Sequence, residues 1–287
     1  MKVAVVVGLL LILVAPQAVR AHDVTAVLVG AGDIASCSTD EDELTAQLVE
    51  TIPDAAVFTL GDNVYVDGTA DEWANCYDPT WGRFLDRTRP IPGNHDYNTG
   101  TAQPYFDYFG ALAGPCCRGY YSYDIGGWRV YALNSETQTG RASAQYAWLR
   151  KKLNTEPHTC TIAMWHKPLW SSTRRGTTKM AAMTTLLYNK HAELILNGHI
   201  HGYERMAPAN PSGQPDPLGI RQITAGTGGR QAENADQWIN PPLAISEVRD
   251  NTYSGVLRLD LSATSYSWQF LATDGSTVDS GADVCHP

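Results

Sequence analysis

The sequence lacks the main features of a membrane-spanning or nucleic-acid-binding protein. None of its apolar runs reaches the roughly 20 residues that a transmembrane helix needs, so no stable membrane span is expected. Positive charge is scarce, with 21 Lys and Arg against 30 Asp and Glu and a formal net charge of −9. Nucleic acid is therefore a poor general partner, and a phosphate-bearing substrate would need local positive charge such as metal ions.

The first residues have the pattern of a secretory signal peptide. A single lysine precedes the apolar run of residues 3–14, and small residues lead up to His22. Cleavage before His22 would give a secreted or periplasmic protein. A membrane anchor is the alternative, but about a dozen apolar residues are too few to cross a bilayer. Residues 22–287 contain no apparent linker, and we expect them to form a single domain.

The cysteines include no CxxC pair, which gives no indication of a zinc knuckle or a dithiol redox motif. Their even number, in a chain that also carries an export signal, predicts disulfides. The sequence leaves the pairing open. We interpret all six as staples, including the two adjacent ones: Cys37, Cys76, Cys116, Cys117, Cys160 and Cys285.

The start of the mature chain alternates strand and helix patterns. Residues 25–30 and 55–60 are short apolar runs rich in β-branched residues, which predicts buried strands. Between them, residues 40–52 begin with acidic side chains and repeat an apolar residue every four positions from Leu44, which predicts a helix. A strand–helix–strand order favours a parallel pair with a crossover helix.

The rest of the chain continues this α/β texture and then changes. The sequence predicts a strand pair around a Gly-Gly turn, two further strands and two helices, at residues 120–135, 160–165, 192–196, 143–156 and 179–190. From residue 219 onward strands and turns dominate. The pattern predicts two packed β-sheets with helices outside.

Polar side chains follow four of the predicted strands and the short stretch RPIP at residues 89–92. They are Asp33; Asp62, Asn63 and Tyr65; Asn94, His95 and Asp96; His166; and His199 and His201. Because ligand crevices in α/β sheets lie at the carboxyl ends of the strands, we expect these five clusters to converge in space.

The oxygen and nitrogen ligands in these clusters, without a thiolate, suit borderline to hard cations such as iron, zinc, manganese or magnesium. Taken singly, each residue has a simpler interpretation as a helix cap, a turn or a packed core side chain. Their joint occurrence at strand ends favours a metal site. Seven candidate ligands exceed one tetrahedral site and suggest two metals sharing a carboxylate: Asp33, Asp62, Tyr65, Asn94, His166, His199 and His201.

The stretches GDIA, GDNVY, GNHD, AMWH and GHIH resemble the five sequence blocks of the calcineurin-like metallophosphoesterases. The tyrosine of GDNVY is similar to that of the purple acid phosphatase branch. The resemblance covers residues 25 to about 205 and implies a four-layer α-β-β-α sandwich of two mixed β-sheets flanked by helices. It implies an exported phosphomonoesterase that uses a metal-bound hydroxide on a small phosphorylated substrate.

The resemblance also implies roles for single residues. A ferric ion would be held by four of them: Asp33, Asp62, Tyr65 and His201. A second, divalent ion of iron, zinc or manganese would be held by a set that shares Asp62: Asp62, Asn94, His166 and His199. Asn94 and His95 would bind phosphate, and His95 would protonate the leaving alkoxide. We include Asp96 among the catalytic residues because it is placed to orient His95 or line the pocket.

Three features depart from the family pattern or stay open. Ala35 replaces the last glycine of the first block, without removing a ligand. Arg174 and Arg175 stand where acid phosphatases carry a further histidine, and either bind phosphate bidentately or are exposed loop charges. The Gly-rich residues 224–230 either close over the site or form a turn between strands.

Two other functions remain open at this stage. One is a phosphodiesterase on the same two-metal core, and the other is an exported metal- or phosphate-binding protein without turnover. The acid pH optimum and the oligomeric state are also left open.

Overall fold

The computed structural model describes residues 24–173, 175–230 and 237–287. The predicted signal peptide, residues 1–21, and Arg174 lie outside these ranges. The helices are α1 (Glu41–Glu50), α2 (Ala70–Glu72), α3 (Gln103–Phe109), α4 (Ala144–Thr155) and α5 (Ala181–Tyr188), with shorter helical turns at Trp73–Tyr77, Trp81–Arg87, Gly110–Ala113 and Thr178–Met180. In this part of the chain no helix combines the length and the apolar character needed to cross a membrane.

The strands form two large sheets and a small ribbon. They are β1 (Val24–Ala31), β2 (Ala35–Ser36), β3 (Ala56–Thr59), β4 (Val64–Tyr65), β5 (Thr88–Arg89), β6 (Tyr121–Ile125), β7 (Trp128–Ala132), β8 (Thr161–Met164), β9 (Leu194–Asn197), β10 (Tyr203–Met206), β11 (Arg221–Ala225), β12 (Ser246–Asp250), β13 (Gly255–Ser262), β14 (Ser265–Ala272) and β15 (Thr277–Val284). The first sheet has the order β15-β14-β13-β1-β3-β5, the second β12-β10-β11-β9-β8-β7-β6, and β2 pairs with β4.

Both large sheets are mixed, as expected. In the first, β1, β3 and β5 are parallel, whereas β13 lies antiparallel to β1 and begins the hairpins that end the chain. In the second, β7, β8, β9 and β11 are parallel, and antiparallel strands flank them. The parallel pair β1–β3 with α1 as its crossover confirms the predicted strand–helix–strand unit.

Apolar side chains divide the molecule into layers. The central cluster joins residues of both sheets, such as Phe58 and Leu257 of the first and Ile162 and Leu194 of the second. A second cluster packs α1 and α3 on the outer face of the first sheet, and a third packs α4 and α5 on the outer face of the second. The result is the expected four-layer α-β-β-α sandwich, because each sheet buries one face against the other sheet and one against helices.

The buried face of α1 differs from its apolar repeat. Leu44 is 42% exposed, whereas Asp42, Thr45, Ala46 and Val49 are buried. The Thr45 hydroxyl donates to the carbonyl of Gly228 and accepts a hydrogen bond from the Trp81 indole. These long-range polar contacts set the rotation of the helix, and local periodicity does not contain them.

Two disulfides form, Cys37–Cys76 and Cys160–Cys285. The second ties the start of β8 to the end of the chain across a sequence separation of 125 residues. Cys116 and Cys117 belong to neither bridge and are exposed. The expectation that these two adjacent cysteines staple the fold is therefore wrong.

Candidate metal centre

The two sheets bring the predicted clusters to one edge. Asp33 follows β1, Asp62 follows β3 and Asn94 follows β5, all beyond the carboxyl ends of parallel strands in the first sheet. His166 and His199 follow β8 and β9 in the same way in the second sheet. The five strand ends therefore face one crevice between the sheets.

Asp62, His166 and His199 form one half of the cluster. Each offers a ligand atom, and these atoms lie within 4.8 Å of one another. His166 Nε2 is 3.1 Å from Asp62 Oδ2 and 3.2 Å from His199 Nδ1. On its other side His166 Nδ1–H donates to the carbonyl of Leu60 at 2.7 Å, which fixes the ring with Nε2 facing the cluster.

Asp33, Tyr65 and His201 form the other half. The Tyr65 hydroxyl donates to Asp33 Oδ1 at 2.6 Å and to Asp62 Oδ2 at 3.1 Å, and lies 3.2 Å from His201 Nε2. His201 Nε2 is in turn 3.3 Å from Asp33 Oδ1. Asp62 Oδ2 thus touches both halves, through Tyr65 and through His166.

The backbone around these residues is held in an unusual conformation. Asp33, Asp62 and His199 have φ values of 58°, 49° and 72°, in the left-handed region that side-chain-bearing residues rarely adopt. Such strain persists only where the surroundings impose it, and it is concentrated at functional sites. Two glycines serve a different need: a Cβ on Gly93, before Asn94, would collide with the Asp62 carboxylate, and one on Gly198, before His199, with that of Asp33.

Asn94 and His95 lie on the same loop, at the edge of the cluster. Asn94 Oδ1 is buried and has no hydrogen-bond partner among the described residues. The backbone N–H of His95 donates to Asp62 Oδ1 at 2.7 Å, and its Nδ1–H donates to the carbonyl of Val66 at 2.6 Å. His95 Nε2 is therefore left facing the cluster, 4.0 Å from Asp62 Oδ2.

Asp96 is fully buried among the loops. Its carboxylate accepts hydrogen bonds from the N–H of Gly93 and from both the backbone and the side chain of Asn63. These contacts tie the loop of Asn94 and His95 to the loop of Asp62. They favour a positioning role for Asp96 over contact with a substrate.

Burial and close charges shift the pKa values of the cluster in opposite directions. Burial opposes ionisation of Asp62, but His166 and His95 lower its pKa to about 2. Burial opposes protonation of His166, but Asp62 raises its pKa to about 9. For His199, burial and the charges of His166 and Arg175 lower the pKa to about 2. The two aspartates thus favour positive charge inside the cluster, which is the charge that a bound cation would supply.

Arg175 and Arg230 bring positive charge to the site. The positive charge of Arg175 helps to lower the pKa of His199. Arg174 lies outside the described residues. The guanidinium Cζ of Arg230 lies 4.9 Å from the ring centroid of Tyr65. Sequence reasoning did not single out Arg230. The only signal was the Gly-rich stretch that it ends.

Comparison with known proteins identifies the family of this chain. Residues 20–203, more than half of the chain, match the family described as calcineurin-like phosphoesterase. The chain belongs to this family. Residues 219–280, which include β11 to β14 and the start of β15, match the family described as iron/zinc purple acid phosphatase-like protein C.

Curated relatives point to the purple acid phosphatase branch. The chain is 28% identical over 241 residues to purple acid phosphatase 18 of Arabidopsis thaliana, covering 75% of this chain and 52% of the relative. It is 29% identical over 224 residues to purple acid phosphatase 21 of the same plant, covering 68% and 51%. The chain thus spans about half the length of these relatives.

Solved structures share the fold. A purple acid phosphatase from yellow lupin (Lupinus luteus) seeds superposes with a TM-score of 0.73 at 18% identity, covering 90% of this chain and 53% of that one. GAP50, described as the anchor in the inner membrane complex of Plasmodium, gives 0.68 at 14% identity, covering 91% and 89%. The same fold therefore occurs both in a phosphatase and in a protein described as an anchor, so the fold alone does not identify the function.

Membership of the purple acid phosphatase-like group implies a dinuclear metal centre, and the residues present fit one. Asn94 Oδ1 is a buried acceptor without a partner among the described residues, and the glycines at positions 93 and 198 keep free the space beside the carboxylates of Asp62 and Asp33 that a Cβ would fill. Carboxylate, imidazole, amide and phenol groups suit iron, zinc or manganese.

Proposed function

We propose that this chain is a metal-dependent phosphatase that hydrolyses phosphomonoesters at a two-metal centre. The observation that carries the proposal is the position of Asp62. Its Oδ2 lies 3.1 Å from the Tyr65 hydroxyl on one side and 3.1 Å from His166 Nε2 on the other. A carboxylate in contact with two separate groups of ligand atoms is the arrangement that a bridging ligand requires.

The two halves of the cluster suggest how the metals are shared. The half with the phenol would hold a ferric ion through Asp33, Asp62, Tyr65 and His201. The other half would hold a divalent ion through Asp62, Asn94, His166 and His199. Burial and the charges of both aspartates hold the pKa of Tyr65 well above 10. A phenolate at this position therefore needs a strongly charged cation beside it.

When bound, the metals would supply Lewis acidity to the phosphate oxygens and lower the pKa of a water molecule. The protein's own residues position the substrate and move a proton. The Nδ1–H of His95 is held by the Val66 carbonyl, so its Nε2 is the atom that donates a proton to the leaving oxygen. The hydrogen bonds that Asp96 accepts from Gly93 and Asn63 hold the loop that carries Asn94 and His95.

Export of the protein is part of the same proposal. The two disulfides support it, because disulfides persist in oxidising compartments. The apolar leader of the sequence is consistent with it. N-terminal sequencing of the protein recovered from the culture medium or periplasm would test it. A chain that retains residues 1–21 there would contradict cleavage.

The deciding experiment combines metal analysis with hydrolysis of two esters. Purified protein is assayed for bound metal, for an aryl phosphomonoester and for the matching bis-aryl diester. Asp62→Asn removes the proposed bridge, and the matched control Asp54→Asn makes the same change at an exposed position. We expect two metals and preferential monoester turnover in the wild type and the control, and loss of both in Asp62→Asn.

Each alternative function predicts a different result. Preferential diester turnover would identify the phosphodiesterase, and bound metal without hydrolysis of either ester would identify the binding protein. Wild-type activity in Asp62→Asn would refute the two-metal proposal itself.

A further inference from the structure

Arg230 is anchored directly to the metal-binding loops. Its backbone N–H donates to the carbonyl of Asp33 at 2.9 Å. Within the same Gly-rich loop, the N–H of Gly228 donates to the carbonyl of Gly32 at 2.9 Å. A Cβ on Gly226 would collide with the Asp33 carboxylate, so only glycine lets this loop pack so closely against Asp33. The base of the Arg230 side chain is therefore fixed relative to Asp33.

The guanidinium of Arg230 lies on the tyrosine that enters the cluster. Its Cζ is 4.9 Å from the Tyr65 ring centroid, and the hydroxyl of that ring contacts both Asp33 and Asp62. The His95 ring contacts the same tyrosine, at 4.5 Å between ring centroids. Arg230 and His95 thus lie around one ring at the mouth of the site.

Several other arginines near aromatic rings are paired with carboxylates, whereas Arg230 has no such pair among the described residues. Arg129, Arg205 and Arg221 each form ion pairs with carboxylates. Among the residues that the structure describes, no carboxylate lies within ion-pair distance of Arg230, and its side chain is partly exposed. The backbone contacts of its loop and the ring of Tyr65 place this guanidinium beside the cluster, where a bound anion would lie.

We propose that Arg230 binds the non-bridging oxygens of the substrate phosphate and so selects phosphomonoesters over phosphodiesters. A guanidinium matches phosphate oxygens with two parallel hydrogen bonds. A monoester dianion carries one more negative charge than a diester, and only the monoester leaves enough oxygens free to face both the metals and Arg230. The inference deepens the proposed phosphatase function, on which its kinetic part rests.

The test starts with binding rather than turnover. Metal-replete wild type, Arg230→Ala and Arg230→Lys are titrated with inorganic phosphate by calorimetry, and metal content is measured in each. The control is Arg89→Ala, which removes a guanidinium that lies over the ring of Tyr123 and lines a cavity at the starts of β1 and β3. We expect phosphate binding to weaken roughly 10- to 100-fold in Arg230→Ala. The loss should be smaller in Arg230→Lys and absent in the control, with metal content unchanged.

Kinetics then test the selectivity. In Arg230→Ala the KM for a monoester should rise by a similar factor, with a much smaller rise for the matching diester. Unchanged phosphate binding, equal losses for both esters or loss of metal would each overturn the proposal, the last by making Arg230 a structural residue. Wild type that binds phosphate through Arg230 but hydrolyses neither ester would refute the proposed function and leave the binding role intact.

Discussion

Replacement of His95 by alanine separates metal binding from proton transfer. The contact that His95 makes with the bridge uses its backbone N–H, which donates to Asp62 Oδ1. Alanine keeps this N–H, so the metals should stay bound. What is lost is the imidazole whose Nε2 lies 4.0 Å from Asp62 Oδ2 and whose orientation is set by the Val66 carbonyl.

The expected magnitude follows from the role of that nitrogen. A positioned general acid contributes roughly 100- to 10,000-fold to rate, which corresponds to about 3–5 kcal/mol in the activation free energy. The full loss should appear only with alkyl phosphates, because an alkoxide cannot leave without a proton. A nitrophenolate leaves unprotonated, and its kcat should fall by no more than about tenfold.

The assay measures kcat for a series of monoesters whose leaving groups span nitrophenols to simple alcohols, with metal content determined for each preparation. His158→Ala is the matched control, because it removes an imidazole next to Asp124, remote from the metal cluster. Asn98→Ala tests positioning, since Asn98 shares the Val66 carbonyl with His95. Equal losses for all leaving groups, or loss of metal from His95→Ala, would refute the reasoning.

Three further predictions concern colour, cross-linking and pH. Tyr65→Phe should abolish the violet absorption band expected of a tyrosine bound to ferric iron, and a colourless wild type with two bound metals would contradict the ferric assignment. In guanidinium titrations Cys160→Ser should lower the free energy of unfolding by about 4–5 kcal/mol, because the disulfide closes a loop with a sequence separation of 125 residues in the unfolded chain. A loss below about 1 kcal/mol would show that the cross-link contributes little to stability. Burial raises the pKa of Glu193 to about 7 against the hydrogen bonds from Thr161 and His286. The folded state therefore loses about 3 kcal/mol of stability as pH rises from about 4.5 to 7. The stability of Glu193→Gln relative to wild type should increase over that pH range. A stability difference that does not depend on pH would contradict the raised pKa of Glu193.

Local sequence was sufficient to predict the parallel strands and the residues at their ends. An apolar β-branched run followed by glycine and a polar residue has few structural alternatives, and parallel pairing places the ends of β1, β3 and β5 at one edge. That is why Asp33, Asp62 and Asn94 could be expected together before any coordinates were known. The same logic applied to His166 and His199 in the second sheet.

Contacts between distant segments were decided only by the tertiary structure. β13 pairs with β1 across more than two hundred residues, and the bond between Cys160 and Cys285 spans the second half of the chain. No local pattern encodes such pairs, since they depend on how whole sheets close on each other.

The same distinction between local sequence and tertiary structure applies to the candidate site. The sequence by itself determined which side chains reach the edge of the sheets, because hydrophobic periodicity and turn residues act over a few positions. The family resemblance already implied that Asp62 is shared, but only the tertiary structure decided that Asp96 joins two loops and that Arg230 lies on Tyr65. These are relations of distance and orientation across separate loops, and they exist only once both sheets have packed together.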